Sequence, residues 1–383
     1  MATCPFALAY EMEVLSEVHL ECGSGCVVSC FTISSAKSGT LSGLGSSSQI
    51  CSYADNDKVP SAQGRSSAAH QVDTRSGVDD DGDLIVARRS TAVLVPDRPR
   101  ESILIYHNMA TAIPLVGLQV WRGALLLADF IIHKCKNTSD FENVTALEFG
   151  CGTGLAGITL ARHAKLVFLT DRGADVLDNC SRNVFANRGS FLRGESGVRV
   201  RELDWEEGWP PRTTNMQQAA TSSPYLWSQQ DLKDVEDATI FLAADVIYSD
   251  DLTDAFFRAV SKMLLPGSNK VEPKSYLKAL EFLLTPPGAQ ALYLGLEKRY
   301  NFSMDALDVV ANGYANFVGH LSVEGILIWS FLVSLIQDGA GENTSAAFLG
   351  KRLDDFTVPK YIMEYDRGTD LELWEICAAP QRQ

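Results

Sequence analysis

The sequence lacks a long apolar run. No stretch reaches the roughly 20 consecutive apolar residues that a helix needs to cross a bilayer, and the longest candidate, residues 325–336, is typical of a buried helix or strand. The start of the chain has no positively charged segment ahead of its short apolar patch, so a secretory signal is not expected. The sequence therefore predicts a soluble protein.

Regular cysteine spacing is also missing. Nine cysteines are scattered through 383 residues without a repeated CxxC pair, which indicates a reducing compartment. Cys22, Cys26 and Cys30 follow one another closely after His19, but they lack the two separated ligand pairs of ordinary zinc sites. The other candidate ligands, the histidines at 107, 133, 163 and 320, have no ligand-like spacing. No metal site is predicted.

Positive charge is scarce. The chain has 33 Lys and Arg residues against 48 Asp and Glu residues, a formal net charge of −15. Binding to nucleic acid depends on clustered Lys and Arg, so this balance argues against a nucleic-acid surface. A basic partner is the better expectation, although a negative charge also serves ordinary solubility.

Large apolar residues are scarce between residues 34 and 90, where Ser, Gly and Asp dominate. Such a segment cannot bury enough apolar surface to offset the entropy lost on ordering its chain. We therefore predict a mostly disordered region over 1–100 and a folded domain over 101–380. Loop insertions are predicted near 210–237, 266–290 and 325–350.

Helical and strand periods alternate from about residue 117 onward. Strands alternating with helices imply parallel strands covered on both faces, and two late strands would close the sheet as a hairpin. The pattern predicts an α/β fold with a seven-stranded Rossmann-like sheet. The predicted strands are 144–149, 166–170, 198–202, 239–245, 291–296, 357–363 and 371–377, and the predicted helices are 117–135, 155–164, 175–186, 251–264 and 304–318.

A glycine-crowded turn joins the first of these strands to the next helix. Gly150, Gly152 and Gly154 allow positive φ angles and a close approach of a ligand to the backbone. Glu148 precedes the turn, and Asp171 ends the following strand, so both carboxylates are expected to face one pocket. The turn therefore predicts a cofactor site.

Two cofactor classes share this kind of turn. The residues from Gly152 to Gly157 match the dinucleotide pattern GxGxxG, which leaves an NAD-dependent oxidoreductase as an alternative. An acid just before the first glycine suits a cationic amino-acid ligand better than a pyrophosphate. S-adenosylmethionine is therefore the favoured cofactor.

Five motifs in order carry a family resemblance: WRGA at Trp121, EFGCGTG at Glu148, LTD at Asp171, Asp204-Trp205, and ADVIY from Ala244 to Tyr248. With them the chain resembles class I S-adenosylmethionine-dependent methyltransferases, and within these family 16, whose members are largely lysine methyltransferases of non-histone proteins. The segments VWRGALLLADFI, VRVRELDWEE, LEKRYNFS and LELWEI are most similar to the branch that methylates a Kin-type zinc-finger nucleic-acid-binding protein.

The resemblance implies a role for each motif residue. The cofactor's methionine part would lie against the turn, its ribose against the acid of the second strand, and its adenine under the Asp-Trp pair, while a tryptophan before the first helix would cover it. The (D/E)xxY motif would receive the substrate lysine, and the small residue before it would leave room for the methyl group. The implied cofactor-binding residues are Trp121, Glu148, Gly150, Cys151, Gly152, Gly154, Asp171, Asp204, Trp205 and Ala244, and the implied catalytic residues are Asp245 and Tyr248.

The expected function is therefore protein-lysine N-methylation in the nucleus or cytoplasm, by a monomer acting on a basic protein of the Kin type. A catalytically silent module that binds S-adenosylmethionine is a second alternative. The oxidoreductase alternative leaves Asp204, Trp205, Asp245 and Tyr248 without a function.

Overall fold

The computed structural model describes residues 13–15, 26–34, 51–52, 101–213, 223–264, 290–303, 308–323, 348–354 and 357–379. Its strands are β1 (Glu13–Leu15), β2 (Cys26–Thr32), β3 (Cys51–Ser52), β4 (Ser102–Asn108), β5 (Ala110–Ala112), β6 (Thr145–Phe149), β7 (Leu166–Asp171), β8 (Val198–Glu202), β9 (Ala238–Ala244), β10 (Ala291–Glu297), β11 (Asn301–Ser303), β12 (Asp308–Val310), β13 (Leu321–Val323), β14 (Phe348–Leu353) and β15 (Leu371–Ala378).

The helices alternate with the strands of the central sheet, as the sequence periodicity predicts, except that the predicted helix 304–318 begins only at Asn312, because β12 occupies Asp308–Val310. They are α1 (Arg122–Asn137), α2 (Leu155–Leu160), α3 (Ala174–Asn187), α4 (Gln229–Val235), α5 (Asp250–Leu264) and α6 (Asn312–Gly319). A 3₁₀ segment, Ile113–Leu118, precedes α1. By length and composition alone, Ile113–Asn137 could cross a membrane, but 61% of its apolar window is buried, as in the core helix of a folded domain.

The central sheet has the strand order β13-β14-β15-β10-β9-β6-β7-β8 among the described residues. The five strands from β10 to β8 are parallel, and β15 runs antiparallel between β10 and β14. Strand order reverses between β6 and β9, so a crevice is expected at the carboxyl ends of these two strands. The Rossmann-like α/β fold is confirmed, with eight strands instead of seven because β13 extends the edge.

Both faces of the sheet are covered, which explains the nearly continuous apolar character of β6 and β7. One core forms where α1, α2 and α3 pack on the sheet, with Leu125, Ile131 and Leu177 fully or almost fully buried. The second core lies on the other face around Phe256 of α5 and Trp374 of β15. The two cores hold the carboxyl ends of the parallel strands in one rigid edge.

A smaller sheet of order β3-β2-β4 comes from the N-terminal part of the chain. Two of its strands lie within 1–100, the region for which mostly disorder is predicted, while most of 34–90 falls outside the described residues. The predicted insertions near 266–290 and 325–350 also fall largely outside them, and α4 forms inside the one near 210–237.

The predicted first strand of the closing hairpin, 357–363, is wrong. The hairpin partner of β15 is β14, Phe348–Leu353. The 357–363 segment is instead held as a loop by the buried Asp129 of α1, whose Oδ1 accepts hydrogen bonds from the backbone N–H groups of Tyr361 (2.9 Å) and Ile362 (2.8 Å). Pro359 in this segment has no N–H group to give to a strand ladder.

Candidate functional site

The glycine turn between β6 and α2 depends on glycine at each of its motif positions. The φ angles of Gly150, Gly152 and Gly154 are +59°, +51° and +81°. Side chains at such angles cost about 1 kcal/mol or more, which explains the choice of glycine. The Gly154 N–H donates to the carbonyl of Cys151 over 2.7 Å, closing the turn just before α2 begins.

The neighbouring strand β7 holds this turn in place. The Cys151 N–H donates to the carbonyl of Thr170 (2.9 Å), and the Gly152 N–H donates to Oδ2 of Asp171 (2.7 Å). A Cβ atom on Gly152 would lie 2.9 Å from the carbonyl oxygen of Gly117. The turn is therefore fixed between β7 and the 3₁₀ segment before α1.

Asp171 and Asp204 bracket Arg172 at the ends of β7 and β8. Oδ1 of Asp171 accepts from the Arg172 N–H (2.7 Å), and burial raises the pKa of Asp171. Oδ1 of Asp204 accepts from the Glu206 N–H (2.9 Å), while its Oδ2 lies 3.7 Å from the Arg172 guanidinium. Both acids occupy the sheet edge on which the sequence predicts the pocket.

Glu148 lies deeper than the sequence suggests. Its side chain is buried, and its Oε2 accepts a hydrogen bond from the Gly157 N–H over 2.8 Å. Burial raises the pKa of Glu148 to about 8, so the carboxyl group is largely protonated at neutral pH. Attraction of a ligand ammonium by Glu148 stays a prediction, and the contact that the structure shows is with α2.

Trp205 forms a wall next to the first glycine of the turn. Its indole packs edge to face on Phe256, with the ring centroids 5.3 Å apart, and a Cβ atom on Gly150 would lie 3.2 Å from the indole ring. The indole N–H is buried and has no hydrogen-bond partner among the described residues. A buried donor of this kind suits a ligand that brings an acceptor, as an adenine ring does.

Trp121 directly precedes α1. Its Nε1 donates to the carbonyl of Val116 over 3.0 Å, and the Arg299 guanidinium lies 4.7 Å from the centre of its ring. These two contacts fix the ring at the start of α1. Whether it covers a cofactor stays a prediction.

Asp245, the first residue of the DxxY motif, has both carboxylate oxygens engaged by backbone. Its Oδ2 accepts from the N–H of Gly123 in the first turn of α1 (2.6 Å), and its Oδ1 accepts from the Glu297 N–H at the end of β10 (2.9 Å). Its φ is +52°, an angle that Asp tolerates better than most residues. Asp245 therefore joins three elements, α1, β9 and β10.

Tyr248, the last residue of the motif, is open to solvent, with 51% of its surface exposed. Partial burial and then the charge of Asp171 raise the pKa of its phenol. A Cβ atom on Gly313, at the start of α6, would lie 3.7 Å from the Tyr248 Cα atom. Ala244 is half-buried at the end of β9, directly before Asp245. The motif thus presents one accessible side chain, the tyrosine ring.

Charged residues at the start of α1 and the end of β10 are not among the predicted site residues. Arg122 donates from Nε to Glu297 (3.1 Å) and forms an ion pair with it, next to Arg299 and Asp245. Arg122 lies in WRGA, and Glu297 and Arg299 lie in LEKR, two segments quoted for the resemblance. The rule that placed acids at strand ends would have found Glu297 as well, because it ends β10 at the same edge.

The structure places the predicted site residues at or beside the carboxyl edge of the parallel strands. From the ends of β6, β7 and β9 and the turns after them come Glu148, Gly150, Cys151, Gly152, Gly154, Asp171, Ala244, Asp245 and Tyr248; Asp204 and Trp205 follow β8, and Trp121 precedes α1. No group of three or more potential metal ligands occurs within the described ranges.

Comparison with known proteins gives one family. A family model described as lysine methyltransferase matches residues 100–219. The chain is 35% identical over 304 residues to human methyltransferase-like protein 22, covering 78% of this chain and 63% of that protein. It is 33% identical over 333 residues to the mouse protein of the same name, covering 79% and 73%. Mouse protein-lysine N-methyltransferase EEF2KMT is 31% identical over 169 residues, covering 42% of this chain and 43% of that protein.

Proposed function

The chain belongs to the lysine methyltransferase family, and from this premise we propose that it is a protein-lysine N-methyltransferase that uses S-adenosylmethionine to modify a non-histone protein. The observation that carries the proposal is the glycine turn, which Asp171 of the neighbouring strand holds through the Gly152 N–H at 2.7 Å. The turn offers backbone groups, Asp171 offers a hydrogen-bond acceptor, and the buried indole of Trp205 offers a hydrogen-bond donor. These are the kinds of group that S-adenosylmethionine needs for its methionine, ribose and adenine parts.

The proposed cofactor contacts follow from these groups. Gly150, Cys151 and Gly152 would present backbone to the methionine part, Asp171 would accept from the ribose hydroxyls, and Trp205 would pack against adenine. When bound, S-adenosylmethionine supplies a methyl group carried by a positively charged sulfur. Asp204, Trp121, Gly154 and Ala244 complete the proposed contacts, and Glu148 supports them by holding α2 through Gly157.

The substrate lysine would enter beside Tyr248. The exposed tyrosine ring can flank the lysine stem and attract its ammonium group by a cation–π contact. We assign Asp245 to the same entrance as the residue that fixes its walls, because its carboxylate binds the backbone of Gly123 and Glu297.

The lysine must lose a proton before it can act as a nucleophile, since its ordinary pKa is about 10.4. The engaged carboxylate of Asp245 is a poor base for this step. Loss of the proton to water is the simplest route, because the side of the site that carries Tyr248 is exposed.

The substrate is proposed to be a basic protein of the Kin type, as the sequence resemblance implies. The net charge of −15 supports attraction of a basic partner at long range. The chain is proposed to act as a monomer in the nucleus or cytoplasm.

Labelling with radioactive S-adenosylmethionine tests the proposal. The purified chain is incubated with the labelled cofactor and a recombinant Kin-type protein, and in parallel with a cell lysate. Tyr248→Ala is the matched variant, because the exposed ring can be removed without opening the core. Label in the Kin-type protein with wild type and not with the variant supports methyl transfer from S-adenosylmethionine to this substrate at the Tyr248 entrance.

The other outcomes separate the parts of the proposal. Label only in other proteins keeps the lysine methyltransferase and refutes the Kin-type substrate. Measurable cofactor binding without label in any protein would leave a silent binding module, and the absence of cofactor binding would contradict the cofactor assignment itself.

A further inference from the structure

An asparagine ladder on α3 binds the backbone of β4. Oδ1 of Asn187 accepts from the Leu104 N–H (3.0 Å), and its Nδ2 donates to the Leu104 carbonyl (2.7 Å). One helical turn earlier, Asn183 makes the same pair of contacts with Tyr106, at 2.7 Å and 3.0 Å. The two amides thus act as a partner strand for the edge of β4 that faces α3.

Asn183 differs from Asn187 in its third hydrogen bond. Its Nδ2 also donates to the carbonyl of Thr153 over 2.9 Å, and Thr153 lies inside the glycine turn, between Gly152 and Gly154. The corresponding bond of Asn187 goes to the carbonyl of Asn183, within α3 itself. Asn183 therefore connects the glycine turn to the N-terminal sheet, and Asn187 does not.

The Asn183 amide is fully buried, with its oxygen and both of its N–H groups paired. Loss of a buried partner leaves a backbone group unsatisfied, which makes such contacts costly to break. The Thr153 carbonyl needs this partner because Thr153 is itself buried. The contact is therefore a fixed point of the turn.

We propose that Asn183 is a positioning residue for cofactor binding, which fixes the glycine turn and couples it to β4. Asp171 holds the turn at the Gly152 N–H, and Asn183 holds it one residue later at the Thr153 carbonyl. With both ends of the Gly152–Thr153 segment anchored, the backbone that faces the ligand is set before binding, which lowers the ordering cost of binding. This inference rests on the proposed function, because that function assigns the turn to S-adenosylmethionine.

Asn183→Ala and Asn187→Ala form a matched pair in the full-length chain. Asn183→Ala removes the partners of the Tyr106 N–H and the Thr153 carbonyl, while the Tyr106 carbonyl keeps its bond from Asn179. Asn187→Ala removes the partners of the Leu104 N–H and carbonyl. Both variants lose a buried amide from the same helix face, so their Tm values should fall by similar amounts.

The expected difference is in ligand binding. The dissociation constant for S-adenosylmethionine, measured by calorimetry, should rise about tenfold in Asn183→Ala relative to Asn187→Ala, the scale of one buried hydrogen bond. In methyl transfer the cofactor KM should rise with kcat nearly unchanged. Equal dissociation constants in the two variants would overturn the inference.

Amide hydrogen exchange without cofactor distinguishes this inference from the proposed function. Faster exchange across the turn from Cys151 to Leu155 in Asn183→Ala, and not in Asn187→Ala, supports the anchoring. If that difference appears while wild type fails to bind S-adenosylmethionine, the cofactor assignment fails and the anchoring stands. Unchanged exchange overturns the anchoring. Should Asn183→Ala not fold, Asn183→Ser with Asn187→Ser gives the same comparison, because each loses the donating amide without placing a charge in the buried site.

Discussion

Replacement of Asp245 should destabilise the fold as well as stop methyl transfer. Its carboxylate accepts two backbone hydrogen bonds, from Gly123 at 2.6 Å and from Glu297 at 2.9 Å, and both donors lose their partner in Asp245→Ala. Bonds to a charged group are worth about 1.5–3 kcal/mol each, and the lower end applies because Asp245 is half-buried. Alanine at the φ of +52° adds about 1 kcal/mol.

Together these terms give a loss of about 4 kcal/mol, which corresponds to a Tm lower by about 10 °C for a domain of this size. Asp245→Asn should lose about half as much, because asparagine tolerates the same φ and keeps one accepting oxygen. Differential scanning fluorimetry on the full-length chain measures both values.

Tyr248→Ala is the control for this series. The ring is 51% exposed, so its removal should leave the Tm within about 2 °C of wild type while methyl transfer is lost. An Asp245→Ala protein with wild-type Tm, wild-type cofactor binding and no turnover would refute the anchoring role. The carboxylate would then act directly on the substrate lysine.

Three further predictions concern Glu148, Asp231 and Gly152. The pKa of Glu148 is raised to about 8, so the free energy of unfolding should fall as pH rises from about 4.5 toward 8. In Glu148→Gln this dependence of the free energy of unfolding on pH should be weaker, as denaturant titrations at several pH values would show. Although burial acts to raise the pKa of Asp231, hydrogen bonds from Arg201 and Ser228 lower it to about 2. The stabilisation that Asp231 gives should therefore disappear as pH falls from about 4 to 2. Thermal scans of Asp231→Ala should lack this acid transition, and calorimetry should show unchanged cofactor affinity. Gly152→Ala should weaken S-adenosylmethionine binding at least tenfold, because its Cβ would lie 2.9 Å from the Gly117 carbonyl oxygen; calorimetry with wild-type affinity would contradict this.

The parallel strands could be predicted closely because their sequences carry the signal locally. β8, Val198–Glu202, has the predicted bounds. β6, β7 and β10 differ from prediction by one residue at one end, and β9 is shifted by one residue at both ends. β6, β7, β9 and β10 are short, mostly apolar runs, as burial on both faces of a sheet requires, whereas β8 alternates Val with Arg at the edge of the sheet. The positions of Asp171 and Asp245 at strand ends followed from the same reasoning.

The closing hairpin could not be predicted in this way. The 357–363 segment has strand-like alternation, yet its backbone N–H groups at Tyr361 and Ile362 bond to Asp129, more than 200 residues earlier in α1. Oδ2 of Asp129 accepts from the Tyr365 hydroxyl (2.6 Å) and from Arg367 (2.8 Å). The buried side chain of Asp129 therefore sets the conformation of this segment, and the local sequence pattern of 357–363 does not reveal that contact.

The same kind of contact limits what a motif can say about mechanism. Asp129, Asp245 and Asn183 each bind the backbone of another segment, and two of these three residues lie at or beside the candidate site. The proposed function assigns Asp245 to the lysine entrance. Loss of activity in an Asp245 variant alone would not show that its carboxylate meets the substrate, because that carboxylate also binds the backbone of Gly123 and Glu297. Among the contacts described, the Tyr248 side chain makes no hydrogen bond to the backbone of another segment. Activity that is lost in Tyr248→Ala with an unchanged Tm would therefore be the stronger evidence for a catalytic role at this entrance.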